Sequence, residues 1–435
     1  MRAGDFSIGL RATLAIFTVA LFVTSTWAAD HEKVLHSFGK RTDGNTPHAG
    51  LVGDGADNLY GTTAAGGIHG RGTVFELTPT EGGDWTETVL HSFKGAPDGQ
   101  QPEGVLILDV AGNLYGATEE GGIYGGIYSG GTVFELSPRQ GGGWTETVLH
   151  SFGNGTDGAG PRAGLIFDAD GNLYGTTSFG GIHGAGTAFE LSPREGGGWT
   201  ETVLHSFGNG TDGGNPHAGL IFDAAGNLYG TTALGGIHGS CGYGCGTVFE
   251  LSPRQGGGWR ETVLHSFNNN GSDGYHPRAD LIFDAAGNLY GTTSKGGSYF
   301  CYDGRSYGCG TVFELSPRQG GGWRETVLHS FDKNELEGYY PYAGLIFDAA
   351  GNLYGTTNAG GVPHGAGAVF ELSSREGGGW TATVLHTFGN GTDGTRPESG
   401  LIFDAAGNLY GTTVRGGIHT GLCLYGCGTV FELTP

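Results

Sequence analysis

The sequence predicts an all-β fold, a seven-bladed β-propeller of four-stranded blades, on three observations. Three short segments, "VLHSF", "NLYGTT" and "VFEL" with close variants, each occur seven times in 435 residues. Successive "VLH" segments stand 55, 59, 55, 60, 64 and 57 residues apart, room for four short strands and their turns. The repeats begin on the last segment of a unit and end on its third, so the two ends together make one complete unit.

The unit that starts at Ala163 shows how each element arises. "AGLIFD" is an apolar run suited to a strand buried on both faces. "DADGN" is a tight turn of Asp, Gly and Asn. "NLYGTT" and "GTAFELS" are β-rich, and "SPREGGG" between them and the next strand is punctuated by Pro and Gly. "WTETVLHSF" is a long alternating strand. No sustained helical period follows the N-terminal segment, and 92 glycines argue against helices. Residues 30–38 supply an outer fourth strand for the last unit, whose residues 399–435 supply only three. The alternative, an open solenoid, needs polar capping repeats, and the terminal units are ordinary.

At "LIFDAAGNLYGTT" and "GTVFELSP" the chain resembles the GloVer tandem-repeat family of exported bacterial proteins, in all seven units. The resemblance implies a repeat architecture and export. It brings no catalytic motif and no ligand to carry over.

Residues 1–28 read as a secretory signal peptide: Arg2 and Arg11 are basic, Ala12–Val23 is apolar, and Thr26 and Ala28 are small. Cleavage is placed after Ala28, with Ala29 as the alternative, and an uncleaved anchor as the rival reading. That leaves 29–435 as one propeller domain, a monomer with no membrane span, secreted or periplasmic. A formal charge of −22 repels phosphate backbones, so nucleic acid is not an expected partner. The six cysteines fall in three close pairs, Cys241 with Cys245, Cys301 with Cys309 and Cys423 with Cys427. Export and an even count favour three short disulfides. Metal binding with the nearby His238 and His419 is the rival, and it breaks where Tyr299 stands in blade 5.

Length variation points to one working face. From each "FEL" Phe to the next Trp the distance is always 10 residues, whereas from the "NLY" Asn to that Phe it runs 17, 21, 17, 22, 25, 18 and 23. The loop between the second and third strands therefore varies, on the face that also carries the links between blades. Variable loops on a rigid scaffold are where recognition usually lives. Tyr275, Tyr299, Phe300, Tyr302, Tyr307, Tyr339, Tyr340 and Tyr342 concentrate there around blade 5, as platforms for sugar rings or protein. Mutual packing of these rings is the bland alternative. Asp280 stands where other inner strands have Gly and is expected to face the central channel. His238 belongs to a series of "GGIHG" histidines, with His69, His183, His364 and His419, placed near the channel mouth. Asp157, Asp212 and Asp393 in "TDG" loops, with Asp43, Asp98 and Asp273 as relatives, offer thin support for calcium. No other cofactor is expected. The seven "VLHSF" histidines are read as packing and hydrogen-bonding residues.

No nucleophile with a base and no phosphate loop stands out. The expected function is a binding or scaffolding module for a glycan or an extracellular protein. The alternatives are a lyase or hydrolase acting on extracellular polysaccharide or lactone, and a purely structural envelope protein.

Overall fold

The computed structural model describes residues 31–40, 42–124, 130–237, 241–301, 308–333, 336–361, 365–418 and 423–434. The signal-peptide reading, His238, His364, His419, Tyr302 and Tyr307 fall outside them.

Each unit folds as a four-stranded antiparallel sheet, with a fifth short strand, Gly274–Pro277, added in blade 5, and seven such sheets form the propeller. In blade 3 the strands are Ile166–Phe167, Leu173–Thr177, Thr187–Pro193 and Trp199–Ser206, from the axis outward. The second strand is buried at every position and the outer strand alternates, as its sequence does. The "G" of "NLYGTT" is required by packing, since a Cβ on Gly175 would stand 2.7 Å from the Phe189 ring and 2.8 Å from Leu165. Every outer strand is bulged before its His: Phe134 pairs with Val148 but Val133 with His150.

The N-terminal strand His31–Ser37 pairs antiparallel with Thr429–Thr434, so the first residues complete the seventh blade. Packing independently establishes the closed ring. Seven hydrophobic clusters each join adjacent blades, where an open stack of seven would have six. The closing cluster sets Leu35, Phe38, Leu59 and Phe75 against Tyr410 and Val430.

Three disulfides form as the spacing predicts: Cys241–Cys245, Cys301–Cys309 and Cys423–Cys427. They occupy the variable loops, which answers the metal reading of these cysteines.

Candidate functional site

The link from each outer strand to the next inner strand carries the pattern X-Pro-Y-x-Z. X is Thr46, Gln101, Gly160, Asn215, His276, Tyr340 or Arg396. All seven have positive φ, between 55° and 67°. A residue before proline avoids helical φ/ψ, and a non-glycine residue with positive φ is strained. Asp57 is the only other non-glycine residue with positive φ among the described residues. Backbone hydrogen bonds hold the strain in place. Thr46 N donates to Cys427 O at 2.8 Å, and Ala64 N donates to Thr46 O at 3.0 Å. The same pair recurs around the ring, for example Asn215 N to Ala185 O at 2.7 Å and Ala233 N to Asn215 O at 3.2 Å. Each link is thus fastened to the preceding blade and to its own second strand, and its Y residue is aimed at the axis. Strain of this kind collects at functional sites.

Position Z forms the throat of the channel. It is Gly50, Val105, Gly164, Gly219, Asp280, Gly344 and Gly400, and neighbouring backbones touch there. A Cβ on Gly219 would stand 3.1 Å from Gly164 O and 3.2 Å from Asp280 Oδ1. Asp280 therefore fills space that its neighbours must leave open. Gly219 N donates to its Oδ1 at 2.6 Å, and burial raises its pKa against that bond.

Position Y forms the rim, and here the blades differ: His48, Glu103, Arg162, His217, Arg278, Tyr342 and Glu398. They surround a cavity of about 420 Å³ whose floor is the throat. The rim is bipolar. Glu398, Glu103 and the adjacent Glu119 make an acidic side, whereas Arg162, His217 and Arg278 are consecutive on blades 3 to 5.

On the acidic side charges are paired. His48 Nδ1 is 3.1 Å from Glu398 Oε2, and Asn358 Nδ2 donates to Glu398 Oε1 at 2.6 Å. Burial disfavours the charged His48, but the Glu398 hydrogen bond and the Glu398 and Glu103 charges outweigh it and raise its pKa. Burial likewise opposes charge on Glu398, yet its bond to His48 keeps it below the usual range.

The basic side is less compensated. Arg162 pairs with Glu119, but its Nε is buried without a hydrogen-bond partner among the described residues. Arg278 is exposed and lies over the Tyr342 ring, 5.7 Å from its centroid. No carboxylate forms an ion pair with it among the described residues. Asn215 Nδ2 donates to Ser178 O at 2.9 Å, which fixes the amide and makes its Oδ1 the acceptor from His217 Nε2 at 2.7 Å. Burial and the cations Arg278 and Arg162 push His217 down to about 3, so it is neutral with Nδ1 able to accept. His276, behind it, is lowered to about 4 by burial and by Lys295 and Arg278. An arc of this kind can take an anion beside an aromatic face.

The aromatic concentration around blade 5 does not form one platform. Tyr275 is 2% exposed and packs in the core between blades 4 and 5, so it offers no surface. Tyr339 and Tyr340 stack edge-on at 4.8 Å and pack against the next core cluster. Tyr299 and Phe300 are exposed just before Cys301, outside the loop that the Cys301–Cys309 disulfide closes. Among the described members of the set Tyr342 alone lines the cavity, with Asp280 below. Sequence neighbours separate here because successive link positions point to different radii. The two described histidines of the "GGIHG" series, His69 and His183, are also displaced from the expected channel mouth. Ile182 N donates to Ser206 Oγ at the end of the outer strand, so the exposed His183 stands at the periphery, and His69 is equally exposed. Of the rim residues, the sequence-based expectation includes Tyr342 alone. The signal was present, because Y is the position of a repeated pentapeptide where histidine, glutamate, arginine and tyrosine replace one another from unit to unit.

No curated protein matches the chain. Among solved structures, a putative oxidoreductase (glucose dehydrogenase) from Thermus thermophilus is 18% identical, with a TM-score of 0.41 over 77% of this chain and 96% of that one. A Mycobacterium tuberculosis puromycin-hydrolyzing peptidase is 10% identical, with a TM-score of 0.49 over 87% of this chain. The match spans about half of the peptidase, 52% of its length. Likenesses this distant carry no argument about activity. The Gloeobacter/Verrucomicrobia repeat model matches residues 16–241, 123–300 and 299–435, and the chain belongs to that repeat family.

Proposed function

We propose that the protein is an exported binding module that takes an acidic sugar or a similar carboxylate-bearing ligand in the mouth of its central channel. The observation that carries this reading is the rim: one position of an otherwise repeated link differs from blade to blade and points into a shared cavity. Arg278 and Arg162 provide cations for the carboxylate, Tyr342 a face for the ring, and His217 Nδ1 an acceptor for a hydroxyl. A cavity of about 420 Å³ suits one or two sugar residues rather than a protein domain. Three disulfides fit an oxidising compartment, the periplasm or the exterior.

The test is a screen of the purified protein against neutral and uronic-acid oligosaccharides. Acidic ligands should bind, and Arg278→Ala and Tyr342→Ala should each weaken binding at least about tenfold, with Phe300→Ala unchanged. Preference for neutral sugars, or dependence on Phe300 instead, would refute the rim assignment. A catalytic reading rests on Asp280, a carboxyl with a raised pKa in the throat. It requires product release from a bound sugar, lost in Asp280→Asn.

A further inference from the structure

The periphery of the ring carries a second repeated constellation, independent of the rim. At the junctions between blades, a "VLHSF" His meets the acid of the following link and a Glu from the next outer strand. In two of these sets, His91 with Asp98 and Glu146, and His265 with Asp273 and Glu325, one donor atom from each residue lies within 4.8 Å of the other two.

The second set is unlike the rest. From His to acid is seven residues at the His91 junction and eight at His265. In the seven-residue links the Asp Oδ1 accepts a backbone N–H, from Gly39 to Asp43 at 3.3 Å and from Gly208 to Asp212 at 3.1 Å. The longer link is capped instead by Asn270, whose Oδ1 accepts from Asp273 N at 2.9 Å. Asn268 N then donates to Asp273 Oδ2 at 2.9 Å, and Oδ1 is left without a donor. Three atoms here are buried with no hydrogen-bond partner among the described residues, His265 Nε2, Asp273 Oδ1 and Glu325 Oε1; the glutamate oxygen is equally bare at Glu87, Glu146, Glu201 and Glu261 and the imidazole nitrogen at His36, so the bare Asp273 Oδ1 is what sets this junction apart. His265 Nε2 does stand 3.4 Å from Asp273 Oδ2, which places the two groups on one side of a shared space. The imidazole is held by edge-on packing on Phe267 at 4.7 Å. A buried carboxylate oxygen without a donor costs about 1–3 kcal/mol or more, so two of them beside an imidazole nitrogen that makes no hydrogen bond favour a cation between them.

We propose that His265, Asp273 and Glu325 bind a divalent transition-metal ion, Zn²⁺ being the natural occupant, and so clamp blade 4 to blade 5. One imidazole nitrogen with two carboxylate oxygens is a donor set for zinc and its neighbours, and the imidazole sets it apart from the all-oxygen sites of calcium. Water completes the coordination.

The test uses the whole protein stripped with EDTA and titrated with Zn²⁺ against a chromophoric chelator. One tight equivalent is expected, with a rise in the thermal midpoint. His265→Gln and Glu325→Gln should each weaken uptake at least about tenfold. His329→Gln should leave it unchanged, because Ala382 replaces the third donor at that junction. Co²⁺ added to the unmutated protein should give the visible absorption of a low-coordinate site with nitrogen and oxygen donors, a readout that needs no variant. Absence of stoichiometric uptake, uptake indifferent to both substitutions, or a featureless Co²⁺ spectrum would overturn the assignment.

Discussion

The two ends of the channel are built on the same seven-fold backbone and treat it in opposite ways. At the end away from the rim, every blade makes one turn with one set of contacts. In blade 5, Asp284 Oδ1 accepts from Ala286 N and Asn288 N at 2.8 and 2.9 Å, and its Oδ2 accepts from Asn288 Nδ2 and Tyr290 Oη at 2.7 and 3.1 Å. Blades 3, 4, 6 and 7 repeat that pattern with Asp168, Asp223, Asp348 and Asp404. At the rim the backbone repeats equally well, with seven positive φ values, but the side chains diverge. A repeated side chain on a repeated backbone is explained by folding alone. A divergent one on a strained, repeated backbone is not.

The largest effect separating the two ends is on stability. Replacing Asp284 with Ala removes a carboxylate that accepts four hydrogen bonds, and should cost about 3 kcal/mol in urea unfolding. Arg278→Ala at the rim should stay within about 0.5 kcal/mol of the parent. Equal losses would erase the distinction. Reduction of the disulfides comes next, at about 2 kcal/mol for each short loop, read as a fall in thermal midpoint with dithiothreitol.

The rim's strain gives a smaller effect of opposite sign. Thr46 is β-branched at φ 55°, where Gly160 already occupies the matching place in blade 3. Thr46→Gly should therefore raise stability by about 1 kcal/mol, and a loss of stability would show that the conformation is not strained.

The pH profile separates the ends most finely. The turn aspartates have pKa values lowered by their hydrogen bonds against the opposing effect of burial. Their stabilisation is complete above the unfolded value, about 3.9, and is lost as pH falls through the folded values. His217 is also depressed, to about 3, but as a base it is neutral when folded. Its contribution is complete above the unfolded value of about 6.5 and declines as pH falls from there towards 3. His48, raised by Glu398 against burial, has the reverse sign and loses its contribution as pH rises through its folded pKa. Acid unfolding should thus begin near about pH 6 at the rim and steepen below about pH 4 with the turns. His217→Gln should flatten the upper limb only.

The ring was legible because each unit states it again: the alternating outer strand, the β-rich second strand and the shared seventh blade follow from local pattern and spacing, whereas the bulge before each outer-strand His does not. The site was legible only in part. Asp280 stood out as a charged residue in a row of glycines, and the structure puts it in the throat. Tyr342 is conspicuous in the sequence as an aromatic, although its place beside Arg278 depends on the link's turn at Tyr340. Glu103, Arg162, His217 and Arg278 are separated by 55 to 61 residues and meet only when the ring closes. Tyr275 misled because a strand at Gly274–Pro277, which pairs with Leu289–Gly296, turns it inward. The His265 set was hidden for a related reason, since the Asn270-capped link leaves an Asp273 oxygen bare that the shorter links cover.

The most direct test of the account is a pair of binding isotherms for one acidic oligosaccharide, with Arg278→Ala at the rim and Asp223→Asn at the opposite end. The account predicts at least about a tenfold loss for Arg278→Ala and none for Asp223→Asn at a temperature where both are folded. Unchanged affinity in Arg278→Ala, or a loss confined to Asp223→Asn, would contradict it.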